Sequence, residues 1–112
     1  SQEPSSESGA DAAAPVLLLV EDEPVSLAYL QAALTAFPAR VLAAASAAEA
    51  LRLAQATPCA LWLIDAHLPD ASGIELLQRL RAQAPAAVAL AHTAEPSPAL
   101  HARLRDAGFR AV

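Results

Sequence analysis

Apolar positions along this chain follow two periods in turn, and the order of those periods predicts its architecture. Val16 to Val20 is an unbroken apolar run, the pattern of a central parallel strand covered on both faces. Leu27, Leu30, Leu34 and Phe37 follow at spacings of three, four and three, which describes one helical stripe ending before Pro38. Arg40 to Ala45 reads as a second strand diluted by alanine. Ser46 followed by Glu49 has the capping-box spacing and opens a helix to about Ala56, with Ala50 and Leu53 inward. Ala60 to Ile64 is the third strand. Ser72 and Glu75 repeat the capping signal before a helix that runs to about Gln83 and carries Leu76, Leu77 and Leu80 on one face. Ala87 to Ala91 reads as a fourth strand, and Pro98 to Asp106 as a fourth helix with Leu100 and Leu104 inward and Gly108 as its cap.

Strand and helix alternating at short spacing predict an α/β fold, a doubly wound parallel five-stranded sheet flanked by helices, with strand five truncated at Val112. Residues 1 to 14, SQEPSSESGADAAA, are small, polar and aperiodic, so they are expected to form a tail or linker ahead of a domain over 15–112 that is incomplete at its C-terminus. A chain of 112 residues accommodates one ordinary domain.

Composition narrows the function. The formal charge of −5, carried by twelve acidic residues against seven arginines and no lysine, argues against direct nucleic-acid binding, because nothing could neutralise a row of phosphates. No apolar stretch approaches the roughly 18 residues needed to enter and cross a bilayer, so no membrane insertion is expected. Cys59 is the single cysteine, which excludes an internal disulfide and suits a reducing, cytoplasmic location.

The chemistry gathers at strand ends. Glu21 and Asp22 directly follow the first strand and Asp65 directly follows the third. If these strands are parallel neighbours, three carboxylates share one sheet edge, a place where a hard divalent cation and a phosphoryl group can sit together. His67, His92 and His101 are dispersed and lack the clustered spacing of a zinc site.

The ordered landmarks Leu19-Val20-Glu21-Asp22-Glu23-Pro24, Leu63-Ile64-Asp65, Pro69 and Gly73 at four and eight residues beyond Asp65, Thr93-Ala94 and Ala107-Gly108 closely resemble the receiver domain of two-component response regulators, over about residues 15 to 112. The resemblance implies a flavodoxin-like fold. Carried over position by position, Asp65 matches the phosphoacceptor, Asp22 the direct carboxylate ligand of Mg2+, and Glu21 the acidic neighbour that works through a metal-bound water. His67 matches the position whose backbone carbonyl completes the metal's protein ligands, and Thr93 the hydroxyl that contacts the phosphoryl group and moves with it. The chain departs from the family pattern twice. The family's lysine falls at about position 115, past Val112, where an ammonium would meet the phosphoryl group, and Val112 stands where many members carry a switching aromatic residue.

The resemblance implies a phosphoacceptor switch that takes a phosphoryl group from a phosphohistidine on a histidine kinase or histidine phosphotransfer protein. Such a module promotes its own phosphorylation and dephosphorylation without being a turnover enzyme. It alters contact with an attached effector domain or forms a homodimer. A phosphorylation-independent, receiver-like interaction module is the alternative. A metal-dependent hydrolase would need a further acid or base and a substrate pocket, neither identifiable here.

Overall fold

The computed structural model of the protein describes residues 14–112, so the expected tail over 1–14 lies outside the described residues except for Ala14. Four strands, β1 Val16–Val20, β2 Arg40–Ala44, β3 Leu61–Asp65 and β4 Val88–His92, alternate with helices α1 Pro24–Leu34, α2 Ala47–Ala56, α3 Gly73–Gln83 and α4 Pro98–Ala107. The strands pair in parallel in the order β2-β1-β3-β4. Leu18 stands opposite both Leu42 and Trp62, and Asp65 stands opposite His92.

The expected fifth strand is present as its first contact. Ala111 forms a parallel bridge with Leu90, Ala91 N donates to the Ala111 carbonyl at 2.9 Å, and Arg110 N donates to the Ala89 carbonyl at 2.7 Å. These bonds put the last described residues on the outer edge of β4. Val112 is half-buried against the core.

Burial follows the sheet's two faces. Leu17 to Val20 of central β1 are all buried, as an apolar run covered on both sides requires. In β3 and β4 the pattern alternates: Trp62, Ile64, Ala89 and Ala91 are buried, whereas Leu61, Leu63, Val88 and Leu90 are half-buried. The buried set joins Ala50 of α2, Leu76, Leu77 and Leu80 of α3, and Leu100 and Leu104 of α4 in one core. The guanidinium of Arg81 lies 4.9 Å from the Trp62 ring centroid, adding a cation–π contact to this layer. On the other face Leu34 of α1 borders an apolar groove of about 400 Å³ with Leu17, Leu61, Leu63 and Leu90. No residue of α1 is fully buried, and Val25 and Tyr29 are exposed.

Local chemistry accounts for the helix ends and, together with strand pairing, for four departures from the sequence-based reading. α1 stops at Leu34 because the Thr35 hydroxyl donates to the Ala32 carbonyl and the chain turns, leaving Phe37 off the helix and exposed. Ser46 caps α2 through the Glu49 amide, but the Glu49 carboxylate accepts from Ala45 N, one residue further back than a reciprocal box. Ser72 and Glu75 form the complete box on α3. Strands β3 and β4 each sit one residue later than expected, which brings Asp65 and His92 into the ladder instead of leaving them just past it. The Cys59 thiol is half-buried and donates to the Thr57 carbonyl, and burial pushes its pKa up.

Because the core lies between one sheet face and α2, α3 and α4, Leu77→Ala should cost roughly 2–5 kcal/mol, while Tyr29→Ala on α1 should stay within about 0.5 kcal/mol. Urea unfolding of both variants checks this, and comparable losses would contradict the one-sided core.

Candidate functional site

The order β2-β1-β3-β4 places a topological switch between β1 and β3, whose following connections depart to opposite sides of the sheet. Crevices at such points, beyond the carboxyl ends of the strands, are where open α/β sheets bind ligands. An open cleft of about 890 Å³ lies there, lined by Glu21, Asp22, Asp65, His67, His92 and Thr93 among others. The expected site residues Glu21, Asp22, Asp65, His67 and Thr93 all border this one cleft, whereas Pro69, Gly73 and Val112 do not line it.

The β1–α1 connection is tied down by its own carboxylates. Glu21 Oε2 accepts from Glu23 N at 2.9 Å, and Glu23 Oε1 accepts from Ser26 N at 2.7 Å as the cap of α1. Pro24 follows at the first helical position, where its missing N–H costs nothing. This geometry turns Glu21 inward, 4% exposed, and leaves Asp22 exposed at the cleft.

Asp65 ends β3, and the loop behind it is held from two sides. His67 N donates to Asp65 Oδ1 at 3.0 Å, and Gly73 N donates to the Ala66 carbonyl at 2.9 Å. A Cβ on Gly73 would stand 2.6 Å from the Asp65 carbonyl oxygen and 3.1 Å from Ala66 Cα, so only glycine lets α3 begin this close to Asp65. Asp70 accepts from Ala47 N at 2.8 Å and Ala48 N at 3.0 Å, anchoring the same loop to the start of α2. Those two amides hold the Asp70 carboxyl below its ordinary value.

Across the cleft, Thr93 Oγ1 accepts from Glu95 N at 3.0 Å, the local turn bond of a threonine at a strand end. His67 Nε2 lies 3.1 Å from Glu95 Oε1, so the imidazole faces the β4–α4 loop.

Sequence reasoning missed His92. One ligating atom each from Glu21, Asp65 and His92 lie within 4.8 Å of one another. The three histidines are far apart along the chain, yet parallel pairing puts His92 directly opposite Asp65. The available signal was its place directly after the apolar run Ala87 to Ala91, a strand-end position like that of Asp65 after Ile64. Burial lowers the His92 pKa, opposed by the Asp65 charge and a hydrogen bond to the Val20 carbonyl. Burial also raises the Glu21 carboxyl above its ordinary 4.5, and the neighbouring Asp65 carboxylate adds to the shift against the pull of the Glu23 amide.

Two variants test this geometry. Gly73→Ala must displace the Asp65–Ala66 backbone and should lose about 1–3 kcal/mol in urea unfolding, with amide shifts centred on Asp65. Wild-type stability would mean that α3 does not start this close. For Glu21, a raised folded-state pKa adds stability that is full below the unfolded value of 4.5 and is lost as pH rises through the folded one. Glu21→Gln should therefore raise the melting temperature of the metal-free protein by several degrees at about pH 7.5 and lose that advantage toward about pH 4. A pH-independent difference would exclude the charge as its cause.

Three comparisons bear on this site. The family model of the response regulator receiver domain matches residues 17–112. The transcriptional regulatory protein KdpE of Mycobacterium tuberculosis is 39% identical over 66 residues, 59% of this chain and 29% of that protein, so the match spans well under two thirds of the curated relative's length. The signal receiver domain of an HD domain-containing protein from Pseudomonas fluorescens Pf-5 superposes with a TM-score of 0.80 at 31% identity, covering 88% of this chain and 79% of that one. A response regulator from Burkholderia pseudomallei, whose structure carries a phosphorylated aspartic acid, a calcium ion and citrate, superposes with a TM-score of 0.77 at 28% identity, covering 87% of this chain and 57% of that one.

Proposed function

The chain belongs to the response regulator receiver domain family, and from that membership we propose that it is a phosphoacceptor switch in two-component signalling, with Asp65 as the residue that takes the phosphoryl group. The observation that carries this reading is the meeting of Asp65 with Glu21 at the switch point of the sheet, in one cleft with Asp22 and Thr93. The phosphorylated aspartic acid and calcium ion in the Burkholderia pseudomallei regulator support a carboxylate nucleophile working beside a divalent cation.

In the proposed reaction a carboxylate oxygen of Asp65 attacks phosphorus while the P–N bond to the donor phosphohistidine breaks. The imidazole departs with the bonding pair and gains a proton. The Thr93 hydroxyl, which accepts the Glu95 amide in the present state, turns to a phosphoryl oxygen and carries the 93–95 segment with it. Val112 has no ring to swing, so the change is read through that segment and α4.

The donor set fits a hard divalent cation: a buried carboxylate, an adjacent strand-end carboxylate and an exposed third one, with no cationic side chain among the residues named at the cleft. Asp22, Asp65 and the His67 backbone carbonyl would hold Mg2+ directly, with Glu21 acting through a bound water. When bound, Mg2+ supplies positive charge that offsets the charge on the phosphoryl oxygens. Hydrolysis of the acyl phosphate returns the switch to rest. A histidine kinase or histidine phosphotransfer protein is the proposed donor in the cytoplasm, and an effector domain or a second receiver the proposed reader. Among the described residues no helix is long and apolar enough to cross a membrane.

Acetyl phosphate and Mg2+ should place one acid-stable, base-labile phosphoryl group on Asp65, located by mass spectrometry and absent from Asp65→Asn. Asp22→Asn should weaken Mg2+ binding more than Glu21→Gln, roughly tenfold against a few-fold, in titrations followed by Trp62 fluorescence. A label on another residue would overturn the assignment of Asp65, and no label at all would favour a phosphorylation-independent interaction module.

A further inference from the structure

His92 is an unexpected neighbour for a site built of carboxylates. Its Nε2 lies 3.2 Å from the Val20 carbonyl oxygen. A carbonyl only accepts, so that contact requires the hydrogen on Nε2. In the neutral ring the free lone pair is then on Nδ1, which stands 3.4 Å from Glu21 Oε1. Glu21 is 4% exposed; its Oε2 accepts the Glu23 amide, Oε1 faces His92 Nδ1, and the Asp65 carboxylate lies within hydrogen-bonding reach of the Glu21 carboxyl. Asp65 closes the third side of the same space. Three acceptor atoms thus converge with no hydrogen of the neutral ring and ionised carboxylates between them.

We propose that Glu21, Asp65 and His92 Nδ1 form a second cation position, inward from the expected Mg2+ position and sharing Asp65 with it, which selects Zn2+ and similar borderline cations over Mg2+.

Four features support the proposal. Imidazole nitrogen favours zinc-class cations, whereas magnesium prefers an all-oxygen shell. A ligating histidine characteristically donates its other ring N–H to a backbone carbonyl or carboxylate, which orients the ring; the Val20 carbonyl does that here. Two donors about 2.1 Å from one cation at a tetrahedral angle stand about 3.4 Å apart, the separation found between His92 Nδ1 and Glu21 Oε1. Strand register supplies rigidity, since Asp65 and His92 are paired across β3 and β4 and Glu21 directly follows β1. The consequence for phosphorylation rests on the reading of Asp65 as phosphoacceptor: a zinc-class cation here engages the nucleophile's carboxylate and competes with phosphoryl transfer.

The test titrates Zn2+ and Mg2+ separately into the protein while following the imidazole 15N resonances of its three histidines. Zn2+ should move the His92 Nδ1 resonance, leave Nε2 protonated, and bind roughly 100-fold more tightly than Mg2+. His92→Leu should lower the ratio of Zn2+ to Mg2+ affinity roughly tenfold or more. A stationary His92 resonance, a response confined to His67 or His101, or an unchanged affinity ratio would each overturn the proposal. The resonance readout on the wild-type protein decides the question even if the variant does not fold. Phosphoryl labelling of Asp65 in Mg2+ is scored separately: its failure with an intact His92 response removes the phosphoacceptor reading alone, and the reverse result removes the second cation position alone.

Discussion

Parallel pairing of β1, β3 and β4 is the constraint from which the site follows. Parallel strands in register finish on one edge, so the residues at or just past their ends, Glu21, Asp65 and His92, meet although they are far apart in the chain. The same pairing buries β1 on both faces and leaves no room for a polar residue before Glu21. Glu21 is the first position at which the central strand can carry a charge. It does so at 4% exposure and with its pKa raised, a cost that a bound cation would offset.

The loops around this edge are fastened by short-range bonds that leave the acidic groups aimed inward. Glu23 caps α1, Asp70 caps the start of α2 from the loop after Asp65, and Ser72 and Glu75 cap α3. Gly73 then allows the first turn of α3 to press against the backbone of Asp65. Held by its own backbone and by the His67 amide, the Asp65 carboxylate has little freedom left to lose in the proposed phosphoryl transfer. By contrast, the β4–α4 segment is secured at its tip by the Thr93–Glu95 turn bond and the exposed His67–Glu95 pair. Exposed pairs of this kind contribute only about 0–1 kcal/mol, so the segment is the part of the rim with the least to give up on moving.

Stability and chemistry are divided between the core face of the sheet and its carboxyl edge. The core of leucines, alanines, Trp62 and Phe109 lies on the side of α2, α3 and α4. The opposite face keeps Leu61, Leu63 and Leu90 half-buried beside α1. Helix α4 spans both assignments, with Leu100 and Leu104 in the core and its start close behind Thr93, so a displacement of the 93–95 segment is coupled to a packed element.

Much of this was legible in the chain because it depends on local chemistry. Strand and helix order followed from hydrophobic period, the caps at Ser46, Ser72 and Gly108 from residue type, and the acidic edge from carboxylates placed directly after two apolar runs. The open face could not be read, because Leu61 and Leu63 look the same in a strand covered on one side or two. Nor could the ends of β3 and β4, where the ladder extends one residue further, since that extra residue is held by bonds to a neighbouring strand and not by its own propensity. His92 shows the difference most plainly. Its chemistry is written in the sequence, but its meeting with Glu21 and Asp65 depends on strand register, a property of pairs of distant segments that only the tertiary structure decides.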